Sequence, residues 1–442
     1  MTTLCTSLKR LIGHPKLLSH KYLVVLRHHG YHSHKENKDD IVLFGQTYKR
    51  DEWTNVTPKI LSLTERKLHL NPKHPIGRIK QRIVDYAYGK YENVRGNPLF
   101  SVHQNLSPVV NMHQNFDSLL VPPDHPSRNK SDSYYLNQQF MLRAHTSAHQ
   151  AELITMGLDN FLVVGDVYRR DAIDSSHYPA FHQMEGVRLF DEHTFFNKVR
   201  GELNLQVFEE DGVRTNDKQE THTLDTAKLL EIDLKDCLLG LAKDLFGSDI
   251  EYRWVDCYFP FTHPSWELEI LWQGDWMEVL GCGVIEQRIL NKSGASKKVG
   301  WAFGLGLERL AMKLYDIPDI RIFWSTDPGF LNQFETDDPN IKFKAVSKFP
   351  SCTNDVSFWI PENSEELFSE NDFYDLVRSV GGDLVEQVKL FDSFYHPKKK
   401  RSSQSYRITY RHMDRTLTQG EVNDLHQQVQ KAAEEMLGVT IR

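Results

Sequence analysis

The chain has 442 residues, of which 40% are hydrophobic and 26% are charged. This length exceeds what a single hydrophobic core usually fills, and the composition is that of a globular protein rather than a disordered one. The formal net charge of −7 argues against indiscriminate binding to nucleic acids, so any contact with RNA has to come from local basic patches.

Cysteine usage and hydropathy narrow the class of protein further. The five cysteines are scattered, without the paired spacing of a zinc site or a disulfide framework. This pattern indicates a reducing compartment and no structural metal. No apolar run approaches the roughly 20 residues of a membrane span, so we expect no membrane partner.

The amino terminus differs from the rest of the chain in its charge. Residues 1–35 contain no Asp or Glu, and their basic side chains are Lys9, Arg10, Lys16, Lys21, Arg27 and Lys35. Basic, acid-free segments that also carry serine and histidine are typical of mitochondrial transit peptides. We therefore predict a targeting leader over residues 1–33 and a location in the mitochondrial matrix; the alternative is an unstructured basic arm that touches RNA.

A polar loop between two predicted strands carries the first candidate ligand-binding residues. The sequence predicts a strand over Phe161–Tyr168 and a returning strand over Phe181–Phe190. Arg169 leaves the first strand and could bind a nucleotide α-phosphate through its forked guanidinium, while Phe181 offers a ring for stacking. Taken alone, the segment could also be an exposed hairpin with ordinary surface charges.

Two alternating aromatic residues, Phe259 and Phe261, lie within the segment Asp256–Ser265. Two rings on one side of a strand can form a slot for a third ring. Such a pair is more often only part of a hydrophobic core.

A glycine-containing phrase, Gly304–Met312, opens a predicted helix. Apolar residues recur at helical spacing from Leu307, so Arg309 falls in the first turn and off the buried face. Glycine lets a backbone approach a ligand, and an arginine in this position can stack on a base or bind a phosphate. Together with Arg169 and Phe181, the phrase predicts a nucleoside triphosphate site with adenine between Phe181 and Arg309. Alone, it could be a core helix with one solvated arginine.

The carboxyl-terminal part of the chain has its own pattern. A polar and acidic linker over residues 325–348 precedes a module over residues 349–441. Its predicted elements are the strand Asp355–Ile360, the helix Asn371–Val380, the strands Leu384–Phe394 and Ser405–Arg411, and the helix Thr418–Leu437. Thr418 and Glu421 form a capping box for the last helix. We expect its inward face to be Val422, Leu425, Val429 and Met436. The order of elements is most of a ferredoxin-like plan.

These motifs resemble those of the class II aminoacyl-tRNA synthetases. The second motif of that class has an aromatic-Arg-x-acid step, here Tyr168-Arg169-Arg170-Asp171 with aspartate in place of the usual glutamate, and the third has Gly-x-Gly-x-Glu-Arg, here Gly304–Arg309. Four further segments resemble the phenylalanine pocket of phenylalanyl-tRNA synthetases: His145–Gln150, Asp256–Ser265, Trp276–Gly283 and Gly300–Phe303. The resemblance implies an α+β fold, with a class II antiparallel sheet flanked by helices over residues 34–324, followed by a ferredoxin-like anticodon-binding domain.

The resemblance also implies which residues form the site. The catalytic residues would be Arg169, Glu278 and Arg309, with Glu278 the ligand of Mg²⁺, a hard ion that prefers carboxylate and phosphate oxygens. The amino group of phenylalanine would be held by Ser147, Gln183 and Glu185, and its ring by Phe259 and Phe261. The other substrate-binding residues would be His145, Ala148, His149, Gln150, Gly281, Gly283, Ala302 and Phe303. ATP would also contact Ser176, His177, Tyr178, Phe181 and Gly306.

The implied reaction has two steps. The carboxylate of phenylalanine attacks the α-phosphorus of ATP and releases pyrophosphate, and the adenylate then acylates the terminal adenosine of tRNA(Phe), by resemblance at the 2′-hydroxyl. Catalysis would rest on aligning the reactants and neutralising phosphate charge, without a protein nucleophile. Because both domains share one chain with no room for a large editing module, we expect a monomer.

A basic strip in the last domain is the candidate tRNA contact. It consists of Lys398, Lys399, Lys400, Arg401, Arg407, Arg411 and Arg415, with Asp414 as the acid among them. Such a run is usually a solvated face, but beside a synthetase core it resembles an RNA-contacting surface. We expect Tyr406, Tyr410 and His412 to be available for stacking on bases.

Two other functions remain open, a non-catalytic tRNA-binding paralogue and a related ligase that acts on a free metabolite. The phrase His74-Pro75-Ile76-Gly77 resembles the signature of class I synthetases, but Arg78 stands where the second histidine would be and no lysine-serine loop follows. We expect His74 to begin a helix over Ile76–Tyr88 instead.

Overall fold

The structure is a computed structural model that describes residues 40–191, 206–326, 328–344, 349–361, 368–397, 400–412 and 415–442. The predicted leader, residues 1–33, lies outside the described residues, as do Lys398 and Lys399 of the basic strip. Residues 40–442 belong to one unit of dense internal contacts.

The helices, numbered in chain order among the described residues, are α1 (Pro58–Leu63), α2 (Pro75–Lys90), α3 (Met112–Asn115), α4 (Gln150–Thr155), α5 (Leu224–Phe246), α6 (Gln287–Lys292), α7 (Leu307–Tyr315), α8 (Pro328–Leu331), α9 (Glu370–Gly381) and α10 (Gln419–Leu437). None of them is both long enough and apolar enough to cross a membrane.

The strands are β1 (Ile41–Leu43), β2 (Gln46–Tyr48), β3 (Ser101–His103), β4 (Val109–Asn111), β5 (Phe140–Leu142), β6 (Asn160–Tyr168), β7 (Ala180–Phe190), β8 (Tyr252–Phe259), β9 (Thr262–Trp272), β10 (Asp275–Ile285), β11 (Val299–Gly306), β12 (Cys352–Trp359), β13 (Val385–His396), β14 (Arg401–Tyr410) and β15 (Thr440–Ile441).

A seven-stranded sheet organises the larger part of the chain, in the order β3-β6-β7-β11-β10-β9-β8. All neighbours are antiparallel except β3 and β6. Both faces are covered, because alternate residues of β6 enter different cores. Leu162 and Val164 pack in one apolar cluster with α2, α5 and α7, whereas Phe161 and Val163 pack in another with α4 and α6. The two strands of the predicted hairpin are confirmed, each beginning one residue earlier than expected.

The start of α2 confirms the expectation for His74. This residue is the N-cap, its ring Nδ1 accepts the N–H of Ile76 at 3.2 Å, and Pro75 occupies the first helical position. Proline is favoured there because its missing N–H would have no helical partner. The resemblance of this segment to a class I signature therefore reflects helix capping.

The carboxyl-terminal module is a four-stranded antiparallel sheet in the order β13-β14-β12-β15, with α9 and α10 packed on one face. This is the predicted ferredoxin-like plan, and the capping box of Thr418 and Glu421 is present. The expectation for Met436 was wrong, since its side chain is 72% exposed. The buried stripe of α10 instead includes His426, whose Nδ1 lies 3.0 Å from the hydroxyl of Tyr410. The two-residue β15 was too short to predict.

The module packs against the loop that follows β6. The carboxylate of Asp375 in α9 accepts hydrogen bonds from Tyr134 at 2.8 Å and from Arg170 at 2.5 Å. Ile173 from the same loop joins the hydrophobic core of the module. The segment predicted as a linker also packs on the larger part, because Phe330 and Phe334 are buried. Arg170, the residue next to Arg169, is therefore held by the carboxyl-terminal module.

Candidate active site

Two adjoining cavities open over the central sheet, one of about 990 Å³ and one of about 640 Å³. They share lining residues, among them Arg169, Gln183, Glu278 and Gly304. The larger cavity also exposes Phe181 and Arg309, and the smaller one exposes Phe259, Phe261 and Glu185. The sequence predictions for a nucleotide and for an aromatic substrate thus fall in two connected spaces.

The larger cavity contains both predicted faces of the adenine slot. Arg309 lies in the first turn of α7 with its side chain 54% exposed, and its guanidinium donates to Glu278 Oε2 at 2.8 Å. The guanidinium carbon of Arg169 lies 5.2 Å from the centre of the Phe181 ring, and its Nε donates to the carbonyl of Ala144 at 2.8 Å. Two arginines therefore border the space where phosphates would lie.

Two glycines at the end of β11 keep this cavity open. A Cβ built on Gly304 or Gly306 would meet no atom within 4 Å. Both residues line the cavity, so the space beside them is available to a ligand that approaches the backbone. The role of Gly306 in ATP binding stays a prediction.

The loop before β7 is ordered by an aspartate that the sequence analysis did not identify. The Oδ1 atom of Asp174 accepts the backbone N–H groups of Ser176 and His177, at 2.7 and 2.8 Å. Its Oδ2 lies 2.7 Å from His177 Nδ1, and this hydrogen bond raises the pKa of His177. Tyr178 is buried and stacks on Trp324 at a centroid distance of 5.3 Å. Ser176 and His177 are exposed at the rim of the cavity, where they can cover a nucleotide.

The smaller cavity has parallel aromatic walls. The Phe259 and Phe261 rings are 5.8 Å apart and inclined by 7°, one at the end of β8 and the other in the turn that follows. Ala302 lines the same cavity and is 5% exposed. A Cβ on Gly281 would lie 2.7 Å from the Phe259 ring, so glycine is required there for that ring to keep its place.

Unsatisfied polar groups face this apolar space. Within the described part of the chain, the Glu185 carboxylate pairs with no cationic side chain, and the side-chain amide of Gln150 has no hydrogen bond. Burial raises the pKa of Glu185 to about 8. The pKa of His145 is lowered to about 3 by its burial and by the charge of Arg169, so the ring is neutral at pH 7. Because a buried polar group without a partner is costly, this arrangement suits a ligand with a cationic end.

Three predicted substrate residues do not line this cavity. Ala148 lies in the hydrophobic cluster below it, and His149 Nε2 lies 2.9 Å from a guanidinium nitrogen of the buried Arg143. A Cβ on Gly283 would lie 2.6 Å from the carbonyl oxygen of Pro264, so this glycine permits close packing of β10 on β9. These residues support the walls, while the other predicted pocket residues form the lining: Ser147, Gln183, Glu185, Phe303, His145, Gln150, Gly281, Ala302 and the two ring-binding phenylalanines.

Glu278 is suited to a divalent cation. Glu267, on the neighbouring strand, lines the same cavity, and its pKa is raised by burial and by the charges of Glu278 and Glu269. Among the residues that the structure describes, no three His, Cys, Asp or Glu side chains converge as a metal site. The donor set therefore fits an ion that takes one or two carboxylates and completes its shell with phosphate oxygens and water, as Mg²⁺ does.

Support for Arg169 comes from residues that the sequence analysis did not assign to the site. Arg170 donates to Asp372 at 2.8 Å and to Asp375 at 2.5 Å, both in α9. Below β6, Arg143 is 1% exposed and donates to Asp166 Oδ1 at 3.1 Å. These pairs fix both ends of the segment that carries Arg169. Nothing in the local sequence revealed them, because the partners are distant in the chain.

Comparison with known proteins agrees with this geometry. Residues 62–224 and 220–334 match the family described as tRNA synthetases class II core domain (F), and residues 347–442 match the ferredoxin-fold anticodon binding domain. The mitochondrial phenylalanine–tRNA ligase of Mus musculus is 58% identical over 399 residues, which cover 90% of this chain and 88% of the relative. The mitochondrial phenylalanine–tRNA ligase of Saccharomyces cerevisiae is 40% identical over 435 residues, covering 87% of this chain and 91% of the relative. The chain therefore belongs to the class II aminoacyl-tRNA synthetases and, within them, to the mitochondrial phenylalanine–tRNA ligase family.

Proposed function

We propose that this protein activates L-phenylalanine with ATP and transfers it to tRNA(Phe) in the mitochondrial matrix. The observation that carries this function is the buried Glu185 carboxylate, which pairs with no cationic side chain among the described residues and faces a cavity walled by two parallel phenylalanine rings. An amino acid with an aromatic side chain satisfies both features, since its ammonium pairs with the ionised form of Glu185 and its ring fills the slot.

In this proposal the first step is an in-line displacement. With its ammonium at Glu185, the amino acid directs its carboxylate toward Arg169, which lines both cavities. The carboxylate oxygen bonds to the α-phosphorus of ATP as the bond to pyrophosphate breaks. Arg169 and Arg309 neutralise the developing phosphate charge. Mg²⁺ bound at Glu278 would add further charge neutralisation on the phosphates.

The decisive test is ATP–pyrophosphate exchange measured with each of the twenty amino acids. We expect exchange that depends on phenylalanine. A non-catalytic paralogue would give no exchange with any amino acid. Exchange with no proteinogenic amino acid, but with another carboxylate compound, would identify a ligase for a free metabolite.

The pocket predicts imperfect rejection of tyrosine. Ala302 is a small residue in the lining, where the para position of the substrate ring would point, so exclusion of tyrosine rests on burying an unsatisfied hydroxyl. Pockets of this kind reject an added hydroxyl by only about a hundredfold. We expect detectable tyrosyl-tRNA formation, increased by Ala302→Gly and reduced by Ala302→Val. Rapid hydrolysis of preformed tyrosyl-tRNA by the purified protein would contradict the absence of editing that we expect.

The proposed tRNA contact requires two corrections to the sequence analysis. Tyr406 and Tyr410 are fully buried in the core of the module, so the expectation that they stack on bases was wrong. Three arginines of the basic strip also have carboxylate partners within the module. Arg407 pairs with Asp355 at 2.8 Å, Arg411 with Glu386 at 2.9 Å, and Arg415 with Glu421 at 2.8 Å.

Aromatic side chains lie instead on the sheet face opposite the helices. Phe394 and Trp359 both pair in register with Ser403, so they share that face. The guanidinium carbons of Arg401 and Arg442 lie 5.8 and 5.1 Å from the Trp359 ring centre. Phe394 is 48% exposed. Aromatic rings flanked by arginines suit unstacked bases of a tRNA loop, so we propose this face, together with the basic strip, as the tRNA contact.

Changes on this face should separate tRNA binding from amino-acid activation. Loss of a stacked base costs about 1–3 kcal/mol, so Phe394→Ala should weaken tRNA binding without changing ATP–pyrophosphate exchange. Replacing Arg401 and Arg442 by glutamine should lower the salt slope of binding by roughly one per lost phosphate contact. The matched control is Lys431→Gln on the exposed side of α10. Unchanged tRNA affinity in both variants would show that this face is an ordinary solvated surface and not the tRNA contact.

We further propose that the protein acts as a monomer. Its catalytic domain spans residues 34–324 and its anticodon-binding domain residues 349–441, and residues 1–33 serve as a targeting leader. Sedimentation equilibrium at micromolar concentration tests whether the protein is a monomer. The targeting leader is tested by comparing the import of full-length protein into isolated mitochondria with that of protein without residues 1–33.

A further inference from the structure

A buried pair of side chains joins the two elements that carry the proposed adenine slot. Glu308 precedes Arg309 in α7 and is 3% exposed, and His182 follows Phe181 in β7 and is fully buried. One carboxylate oxygen of Glu308 accepts the backbone N–H of His182 at 2.7 Å. The other oxygen lies 2.6 Å from Nδ1 of the same histidine ring.

The register of the sheet explains why a carboxylate is needed at this position. The ladder between β7 and β11 ends with the pair Gln183 and Gly306. Beyond this pair the chain turns into α7, so β11 no longer offers a carbonyl to His182, the residue before Gln183 in β7. The carboxylate of Glu308 accepts that N–H instead, and thereby ties the first turn of the helix to the strand.

The other sides of the histidine ring are also fixed. Its centre lies 5.7 Å from Trp324 in a stacked arrangement and 5.3 Å from the ring of His69. Side chains alternate along a strand, so Phe181 and Gln183 point to the side opposite His182. Both of these neighbours line the larger cavity.

We propose that Glu308 and His182 are positioning residues for ATP, whose hydrogen bonds set the separation of Phe181 and Arg309. This inference rests on the proposed function, in which those two residues hold the adenine. Neither Glu308 nor His182 needs to touch the nucleotide. Since a misplacement of about 1 Å can cost roughly a hundredfold in rate, fixing this separation favours the reaction.

The test compares ATP with phenylalanine in the full-length protein. We expect Glu308→Ala to raise the KM for ATP about tenfold or more while the KM for phenylalanine stays within about twofold. The rise in melting temperature caused by a fixed concentration of ATP should become smaller, whereas the rise caused by phenylalanine should persist. Glu308→Gln should recover most of the ATP affinity, because its amide oxygen can accept the N–H of His182 and its amide nitrogen can donate to the ring.

A second acid whose carboxylate contacts β7 supplies the control. Asp233 of α5 binds Arg188 of β7 at 3.2 Å and the indole of Trp301 at 2.8 Å. Asp233→Asn should lower the melting temperature and leave both KM values unchanged. If Glu308→Ala does not fold, the same measurements on His182→Phe test the inference. This variant keeps an aromatic ring beside Trp324 but loses the ring nitrogen that bonds Glu308.

Two results would overturn the inference. One is an equal rise of both KM values in Glu308→Ala and His182→Phe, which indicates support of the fold alone. The other is an unchanged KM for ATP in both. Failure of this inference can be distinguished from failure of the proposed nucleotide site. If the nucleotide site itself is wrong, Arg309→Ala also leaves ATP–pyrophosphate exchange intact.

Discussion

Replacing Arg309 by alanine is expected to slow phenylalanine-dependent ATP–pyrophosphate exchange by about two to three orders of magnitude. Loss of one donor to a developing oxyanion typically costs about 3–4 kcal/mol, and Arg309 faces the cavity where the phosphates would lie. Phenylalanine binding, measured alone by calorimetry, should change little, because Arg309 does not line the smaller cavity.

The stability of the Arg309→Ala variant should be close to that of the unmodified protein. In the structure the guanidinium pairs with Glu278, and both side chains are about half exposed. Exposed pairs of this kind contribute only about 0–1 kcal/mol, and the same weakness lets a nucleotide separate them at little cost. The matched control is Arg288→Ala, an exposed arginine of α6. Near-normal exchange by folded Arg309→Ala would contradict the assignment of the nucleotide site.

Replacing Glu185 by glutamine is expected to remove most phenylalanine activation and to stabilise the ligand-free protein. Breaking a buried charge pair costs about 2–5 kcal/mol, so kcat/KM for phenylalanine should fall by a factor of about thirty or more. A buried carboxylate without a cationic partner lowers the stability of the ligand-free protein, and this cost is retained because the carboxylate binds the substrate. The glutamine side chain removes that cost together with the function.

The stability effect depends on pH in a defined direction. The pKa of Glu185 is raised from 4.5 to about 8 in the folded chain, so the folded state binds its proton more tightly than the unfolded state does. The stability associated with that proton is fully present below pH 4.5 and is lost as pH rises toward about 8. Glu185→Gln should therefore melt at a higher temperature than the unmodified protein at pH 8, with the difference vanishing near pH 4.5.

The pH dependence of phenylalanine binding should also report the titration of Glu185. Because the ammonium binds the ionised carboxylate, the apparent affinity for phenylalanine should rise by up to about tenfold per pH unit below pH 8. Glu286→Gln is the control for stability, since its carboxylate is buried but paired with Arg214, and that variant should be less stable at pH 8. If the affinity for phenylalanine keeps the same pH dependence in Glu185→Gln, the titrating group is a residue other than Glu185.

The sequence determined the fold class and the composition of the site, because the relevant signals are local. Alternating and helical spacing located β6, β7 and α7 within one residue, since those patterns record which face of an element is buried. The same local order placed Arg169, Phe181 and Arg309 at the ends of their elements. The resemblance then supplied the identity of the substrate, which the residue pattern alone left open.

Only the tertiary structure decided which side chains face the site and which support it. Ala148, His149 and Gly283 belong to matching phrases, yet they pack below the cavity, because neighbouring residues of one phrase point in different directions. Tyr406 and Tyr410 lie in a basic stretch, but the pleat of β14 turns them into the core. Contacts such as Glu308 with His182, or Arg170 with Asp375, join residues 126 and 205 positions apart. Pairings over such separations leave no periodic signal in the chain, because they depend on how whole elements pack.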